Sequence, residues 1–353
     1  MSDIAIYGWN ETRENEFREY RERGWIPGRI LLEHKRMYRV WTEQGELLGE
    51  LSGKLRFEAD ERGDLPAVGD WVAVAPRAAE GKATVHAVLT RRAKFSRKAA
   101  GAETVEQIVA ANVDVVLLVA SMNRDFNVRR LERYLLLAWE SGARPVIVLT
   151  KMDACDDPEA YVSQATAVAM GVPVVPASAE RGDGMDAVRA YVAPGTTVAL
   201  LGSSGVGKST LANALLGADA QKVSGVREKD ARGRHTTTHR ELFVVPGGGL
   251  LIDTPGMREL QLWDAADAAS AAFDDVASLA ERCRFSDCGH VAEPGCAVRE
   301  AIAQGKLDAG RLQSYRKMAS EAAYAARKEQ EKRRKLGKKR PTPTRRTEPS
   351  GKE

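Results

Sequence analysis

Long apolar runs are missing from this chain. The most apolar windows, such as Val115-Val-Leu-Leu-Val-Ala120, fall far short of the roughly 20 residues that span a bilayer. They read as buried strands, and no membrane association is expected. The N-terminus, Met1-Ser-Asp-Ile-Ala-Ile-Tyr-Gly8, lacks a basic stretch followed by an apolar one, so no signal peptide is indicated and a cytoplasmic location is expected. Internal repeats are absent, which argues against a solenoid. Cysteine is scarce, with only four in 353 residues. Three of them, Cys283, Cys288 and Cys296, fall within fourteen positions around His290, a grouping that suggests a metal rather than disulfides. Cys155 stands apart as an ordinary thiol.

What is present suffices for packed cores. The chain is 43% hydrophobic and 29% charged, as a soluble protein of two or three domains should be. Its net charge of +4 is unevenly spread: Glu321 to Arg346 holds eleven Lys/Arg against three Asp/Glu, a local +8, so the remainder totals −4. A basic tail on a slightly acidic body points to a polyanionic partner, most commonly nucleic acid; the bland alternative is a solvated end.

From Gly28 to Leu89 short strand-like runs alternate with turns. Arg29–Glu33, Met37–Trp41, Leu47–Ser52 and Asp70–Ala75 are the main ones. About five short strands suit a small closed barrel, an OB-fold by preference, though periodicity alone equally allows an SH3-like barrel. Trp41 and Trp71 read as core residues. Arg91–Lys98 is basic and reads as the connection to the next domain. Beyond it, strands expected at Val113–Ser121, Arg144–Thr150, Val172–Pro176, Thr197–Leu201 and Leu250–Ile252 alternate with helices at Val128–Glu140, Pro158–Met170 and Lys208–Leu216. That alternation predicts a parallel α/β sheet. Helical, Ala-rich sequence then surrounds the Cys/His cluster, with a long helix expected from Asp308 to Arg334.

The chemistry is concentrated in a few motifs. Gly202-Ser203-Ser204-Gly205-Val206-Gly207-Lys208-Ser209-Thr210 matches the Walker A pattern between a strand and a helix. Its backbone N–H groups and the helix N-terminus would cradle phosphate. Lys208 would reach the β- and γ-phosphates and the Ser209 hydroxyl would ligate magnesium. Asp253, closing an apolar strand in Asp253-Thr-Pro-Gly256, suits a magnesium-holding carboxylate, and the Gly256 amide suits sensing of the γ-phosphate. In Thr150-Lys151-Met152-Asp153 the Asp153 carboxylate can accept from guanine N1–H and the exocyclic amine, a donor pair adenine lacks. The Lys151 stem can lie over the purine face, and Ser178-Ala179-Glu180 suits a backbone donor to guanine O6. Thr150 replaces the usual Asn, a departure that bears on one loop-bracing hydrogen bond.

Between the phosphate loop and Asp253 lies Gly233-Arg234-His235-Thr236-Thr237-Thr238-His239, the place for a switch that supplies a magnesium-binding Thr. Thr237 is favoured among the three. After Gly256 comes Met257, where many GTPases carry a water-orienting Gln, so another group must take that role. His235 is the first candidate and His239 the second. Cys283-x4-Cys288-x-His290-x5-Cys296 offers three thiolates and one imidazole, a set that fits tetrahedral structural zinc with no open ligand position.

The order of these parts is rotated. A usual GTPase domain starts with its phosphate loop and ends with the base-reading segments; here the base-reading segments come first. A barrel, a GTPase domain in rotated order and a Cys-x4-Cys-x-His-x5-Cys module together resemble the RsgA (YjeQ) family of circularly permuted ribosome-assembly GTPases. Carriers of the resemblance are Ala111-Asn-Val-Asp114, Thr150–Asp153, Gly202–Thr210, Gly233–Thr238, Asp253–Gly256 and the four metal ligands, spread over nearly the whole chain. The resemblance implies an N-terminal OB-fold barrel over residues 1–100, a permuted α/β P-loop GTPase domain over 101–264, an α-helical zinc-binding domain over 265–336 and a basic tail over 337–353. It implies a monomer that binds the small ribosomal subunit and its rRNA, and hydrolyses GTP to GDP when stimulated by that subunit during late maturation. It also implies a catalytic His in the switch, which maps to His235. Two rival readings are an ATPase or kinase with the same loop, which nucleotide competition separates, and an RNA-binding scaffold whose nucleotide is structural, which turnover separates.

Overall fold

The computed structural model describes residues 3–34, 37–98, 106–169, 171–223, 240–253, 273–285 and 287–313, with 315, 316, 320 and 327. The chain divides into two compact units, residues 1–261 and 262–353. Among the described residues no helix is long and apolar enough to cross a membrane.

The first unit opens with helix α1 (Glu11–Glu22), capped by the Asn10 side chain, which accepts from the Arg13 N–H at 3.1 Å. Strands β1 (Ile26–His34), β2 (Met37–Thr42), β3 (Gly45–Leu51), β4 (Trp71–Arg77) and β5 (Lys82–Val88) follow. β1 pairs antiparallel with both β2 and β4, β3 pairs parallel with β5, and β4 pairs antiparallel with β5. The five strands therefore close in the order 1-2-3-5-4. The parallel β3–β5 step makes the barrel OB-like, which resolves the choice that periodicity left open. Ile30, Tyr38, Val40, Leu47, Val72, Val74 and Val85 fill it. Trp71 is buried as expected, whereas Trp41 is only half-buried, stacked 5.0 Å from Tyr7. Helix α2 (Gly53–Glu58), capped by Ser52, interrupts a region that reads as strands and turns alone.

The basic stretch after the barrel is more than a connection. Lys94–Lys98 forms β6, paired antiparallel with β7 (Glu106–Ala111) as a separate two-stranded sheet. Its Phe95 and Ser96 are buried. The α/β layer then comes as expected: β8 (Val115–Ser121), α3 (Val128–Ser141), β9 (Arg144–Thr150), α4 (Pro158–Ala169), β10 (Val174–Pro176), α5 (Met185–Arg189), β11 (Thr197–Leu201), α6 (Lys208–Val223), β12 (Glu241–Val244) and β13 (Leu250–Asp253). α6 breaks at Gly217, whose φ of 72° and ψ of 174° are not helical. The strands run β10-β9-β8-β11-β13-β12, all parallel except β12. Val115, Leu117, Val146, Val148, Val198 and Leu251 form the core between sheet and helices.

Barrel and α/β sheet are joined through strand pairing and a buried polar joint. β12 pairs with β1 at Leu32 opposite Glu241, and Arg39 on β2 donates to Glu241 at 2.6 Å. Asn112, in the left-handed region at φ 53°, accepts from Arg13 (2.8 Å) and from the Arg92 N–H (3.1 Å), and donates to the Gly69 carbonyl (3.1 Å). One side chain thus ties α1, the barrel and the start of the α/β layer.

In the second unit the described residues contain two short helices, α7 (Asp274–Ala280) and α8 (Ala297–Ala303), around a Cys/His loop. Phe273, Val276, Val298, Ala301, Leu307 and Leu312 are buried. Arg311 caps this core, its guanidinium 4.7 Å from the Phe273 ring centre and paired with Asp275. A third helix starts where the long one is expected: residues 309–313, 315, 316, 320 and 327 are helical, and the Arg311 N–H donates to the Asp308 carboxylate at 3.0 Å. The rest of that helix and the basic tail lie outside the described residues.

Candidate nucleotide site and metal centre

The phosphate loop leaves β11 at its C-terminal end and enters α6 at Lys208, as the sequence predicts. Steric pressure explains its glycines. A Cβ on Gly202 would lie 2.4 Å from the Val119 carbonyl oxygen, and Gly207 adopts φ 89°, where L side chains are strained. Ser204, Gly205, Ser209 and Thr210 are exposed, and Val206 is buried beneath the loop. The Lys208 ammonium donates to the Gly202 (2.8 Å) and Ser203 (2.6 Å) carbonyls, which holds it across the loop.

The segment expected to read the base, Thr150–Asp153, bonds directly to this loop. β9 lies two strands from β11, separated by β8. At its end Thr150 Oγ1, buried, donates to the Val206 carbonyl at 2.6 Å. The Lys151 ammonium donates to the Gly205 carbonyl at 2.8 Å, and Lys151 takes the left-handed conformation, φ 60°. The hydroxyl of Thr150 therefore braces the phosphate loop itself. The segment 177–183 is joined to the same place: the Ala177 N–H donates to Leu149 (2.8 Å) and the Met152 N–H to Ala177 (3.3 Å). The Ser178 hydroxyl donates to the Asp153 carboxylate and, with Asp153's own N–H and the charge of Arg181, holds it below the usual carboxylate range. Asp153, half-buried, is thus an anion at neutral pH.

Asp253 closes β13 next to β11, in register opposite Glu241. Thr150, Lys151, Asp153, Ser178, Ala179, the phosphate loop and Asp253 are thus gathered at one end of the sheet. His235, Thr237, His239 and Gly256 lie outside the described residues. The structure adds a contact that the motifs do not announce. Arg130, in the first turn of α3, donates to the Ser203 hydroxyl at 2.8 Å and to Asp125 at 2.9 Å.

In the second unit Cys283, Cys288, His290 and Cys296 place their ligand atoms within 4.8 Å of one another. His290 Nδ1 lies 3.6 Å from Cys283 Sγ and 3.4 Å from Cys296 Sγ, and the two sulfurs are 3.9 Å apart. A tetrahedral ion with metal–sulfur bonds of about 2.3 Å and metal–nitrogen bonds of about 2.0 Å requires edges of roughly 3.8 and 3.5 Å. The four donors fit a metal ion. Glu293 organises the loop between them: its carboxylate accepts from the N–H groups of Gly289 (3.0 Å), Val291 (2.7 Å) and Ala292 (2.9 Å). Its own N–H and these three hold it down to about 2.

Comparison with known proteins agrees with this geometry. The family model for RsgA GTPase matches residues 88–263. The chain is 48% identical over 334 residues to the small ribosomal subunit biogenesis GTPase RsgA of Opitutus terrae, covering 92% of this chain and 91% of that one. It is 44% identical to the RsgA of Syntrophotalea carbinolica, covering 92% and 90%. The solved structure of YjeQ from Thermotoga maritima superposes with a TM-score of 0.63 at 28% identity, over 85% of this chain and 99% of that one. YloQ, described as a circularly permuted GTPase, shares the fold with a TM-score of 0.58 at 24% identity, over 85% and 95%. With the rotated order of its parts and identity of this extent, the chain belongs to the RsgA GTPase family.

Proposed function

We propose that this protein is a guanine-specific GTPase that binds the small ribosomal subunit through its rRNA, assists late maturation of that subunit, and hydrolyses GTP to GDP and phosphate faster when bound to it. It acts as a monomer in the cytoplasm. The observation that carries the reading is the pair of bonds from Thr150 and Lys151 to the Val206 and Gly205 carbonyls. They fix the distance between the base-reading carboxylate and the phosphate cradle, so one ligand must satisfy both. The names of the relatives, small ribosomal subunit biogenesis GTPases, support the partner.

In this reading the backbone of Gly202–Lys208 grips the phosphates, and Lys208 turns from the Gly202 and Ser203 carbonyls to the β- and γ-oxygens. Asp153 and the Ala179 N–H read guanine. Ser209, Asp253 and Thr237 hold magnesium, which supplies charge neutralisation on the phosphates. His235 orients the attacking water in place of the Gln that Met257 displaces, with His239 as its alternative, and Gly256 senses the γ-phosphate. Phosphoryl transfer depends on positioning rather than covalent chemistry, so RNA that positions His235 and Thr237 against the phosphates would set the rate. The Cys/His loop holds one zinc ion as the core of an α-helical module over 265–336, which follows in the chain a barrel domain over 1–100 and the GTPase domain over 101–264. The basic residues of 337–353 lie against RNA phosphates.

Steady-state GTP turnover with purified small subunits, large subunits or neither tests the reading. Acceleration by small subunits alone is expected. Equal rates in all three would overturn it, and turnover equal to that of Lys208→Ala even with subunits would favour a scaffold whose nucleotide is structural.

A further inference from the structure

The Walker A pattern leaves its second position open, and here that position is Ser203. Its carbonyl accepts from Lys208 at 2.6 Å on the inner side of the loop. Its hydroxyl accepts from Arg130 at 2.8 Å and donates more weakly to Asp125 at 3.3 Å on the outer side. The same guanidinium nitrogen donates to Asp125 at 2.9 Å. Both partners are themselves fixed. Asn127 caps α3 by accepting from the Arg130 N–H at 3.0 Å, so Arg130 stands in the rigid first turn. Asn123 accepts from the Asp125 N–H (3.0 Å) and from the Ser121 hydroxyl (3.0 Å) at the end of β8. A pocket lined by Ser121, Asp125, Arg130, Tyr134, Ser203 and Val206 lies against the loop.

We propose that Arg130 positions the phosphate loop for nucleotide, acting through the Ser203 side chain. Lys208 must leave the Ser203 carbonyl to reach phosphate, and the departure leaves that peptide without its inner partner. The outer bond from Arg130 keeps the peptide in place through the exchange, so the loop need not reorder when nucleotide enters. Preorganisation of this kind strengthens binding without adding a contact to the ligand. Asp125 compensates the charge of Arg130, so the bridge works by orientation rather than by attraction of the phosphates. An ordinary surface ion pair would need only Asp125 and Arg130; the contact with Ser203 is what makes the pair reach the site.

The test is a double-mutant cycle on the affinity for a fluorescent N-methylanthraniloyl-GDP, using full-length protein. Arg130→Met and Ser203→Ala should each weaken binding about fivefold, and the double variant should bind no more weakly than the weaker single. GDP and GTP should be affected by the same factor. Arg130→Lys, which keeps a donor without the planar fork, should recover part of the loss. Thermal midpoints of the nucleotide-free variants should stay close to wild type, which a merely structural role would not allow. Multiplying effects in the double variant, or unchanged affinity in Ser203→Ala, would overturn the proposal. Should Arg130→Met fail to fold, Ser203→Ala alone still decides, because its affinity must fall.

Discussion

The phosphate loop and the Cys/His loop are both short, glycine-containing segments that crowd polar groups together, yet they are held in opposite ways. The phosphate loop is gripped by side chains from far along the chain: Thr150 and Lys151 from the end of β9, and Arg130 from α3. The Cys/His loop is held by neighbours, with Glu293 closing over N–H groups one to four residues away, and its four donors lie within 4.8 Å of one another. A loop held by the surrounding fold is formed before its ligand arrives. A loop that gathers four metal-ligating side chains gains further order from the ion it is proposed to hold.

The comparison breaks most visibly at the metal. On the proposed zinc reading, Cys288→Ser should abolish stoichiometric zinc, measured by atomic absorption, and open residues 283–296 to protease, because a structural zinc would supply about 10–16 kcal/mol of ordering. Protection equal to wild type would show that the loop is held by protein alone. Next comes Gly202→Ala. The added Cβ would meet the Val119 carbonyl oxygen at 2.4 Å, so the loop must shift, and GDP affinity by titration should fall by roughly a hundredfold. Thr150→Val keeps shape but removes the hydroxyl on the Val206 carbonyl. A lost hydrogen bond of about 1 kcal/mol corresponds to about a fivefold weaker GDP affinity in the same titration. The smallest effect belongs to Glu293→Gln. The amide oxygen can keep the Val291 and Ala292 N–H groups, but its NH2 then faces the Gly289 N–H, which loses its acceptor, so zinc competition with a chelator should shift by about threefold. A larger shift would mean that the charge of Glu293 matters as much as its geometry.

Much of this arrangement is legible in the sequence because its signals are local. β9 and β11 begin and end at the expected residues, and α3 differs by one residue; buried apolar runs in a parallel sheet leave little freedom. The Gly202–Lys208 turn between β11 and α6 and the clustering of Cys283, Cys288, His290 and Cys296 can both be read from spacing alone. What sequence does not show is held by distant polar partners. α1 carries little apolar pattern and is fixed through buried Arg13 bonding to Asn112, 99 residues away. The basic character of Lys94–Lys98 masks a strand in which Phe95 and Ser96 are both buried across a register shift, so no alternation reveals it. Arg130 looks like any helix-surface cation until the fold brings Ser203, 73 positions later, within 2.8 Å. The bracing role of Thr150 has the same origin: its partner is 56 residues away.

The central claim is that the rotated order still builds one guanine site, with Asp153 and the phosphate loop held at a fixed separation. Displacement of fluorescent GDP by GTP and by ATP, in wild type and in Asp153→Asn, tests it most directly. The account predicts that wild type releases the probe at GTP concentrations at least about a hundredfold below those of ATP, and that Asp153→Asn erases most of that gap. Equal displacement by GTP and ATP in wild type would contradict it.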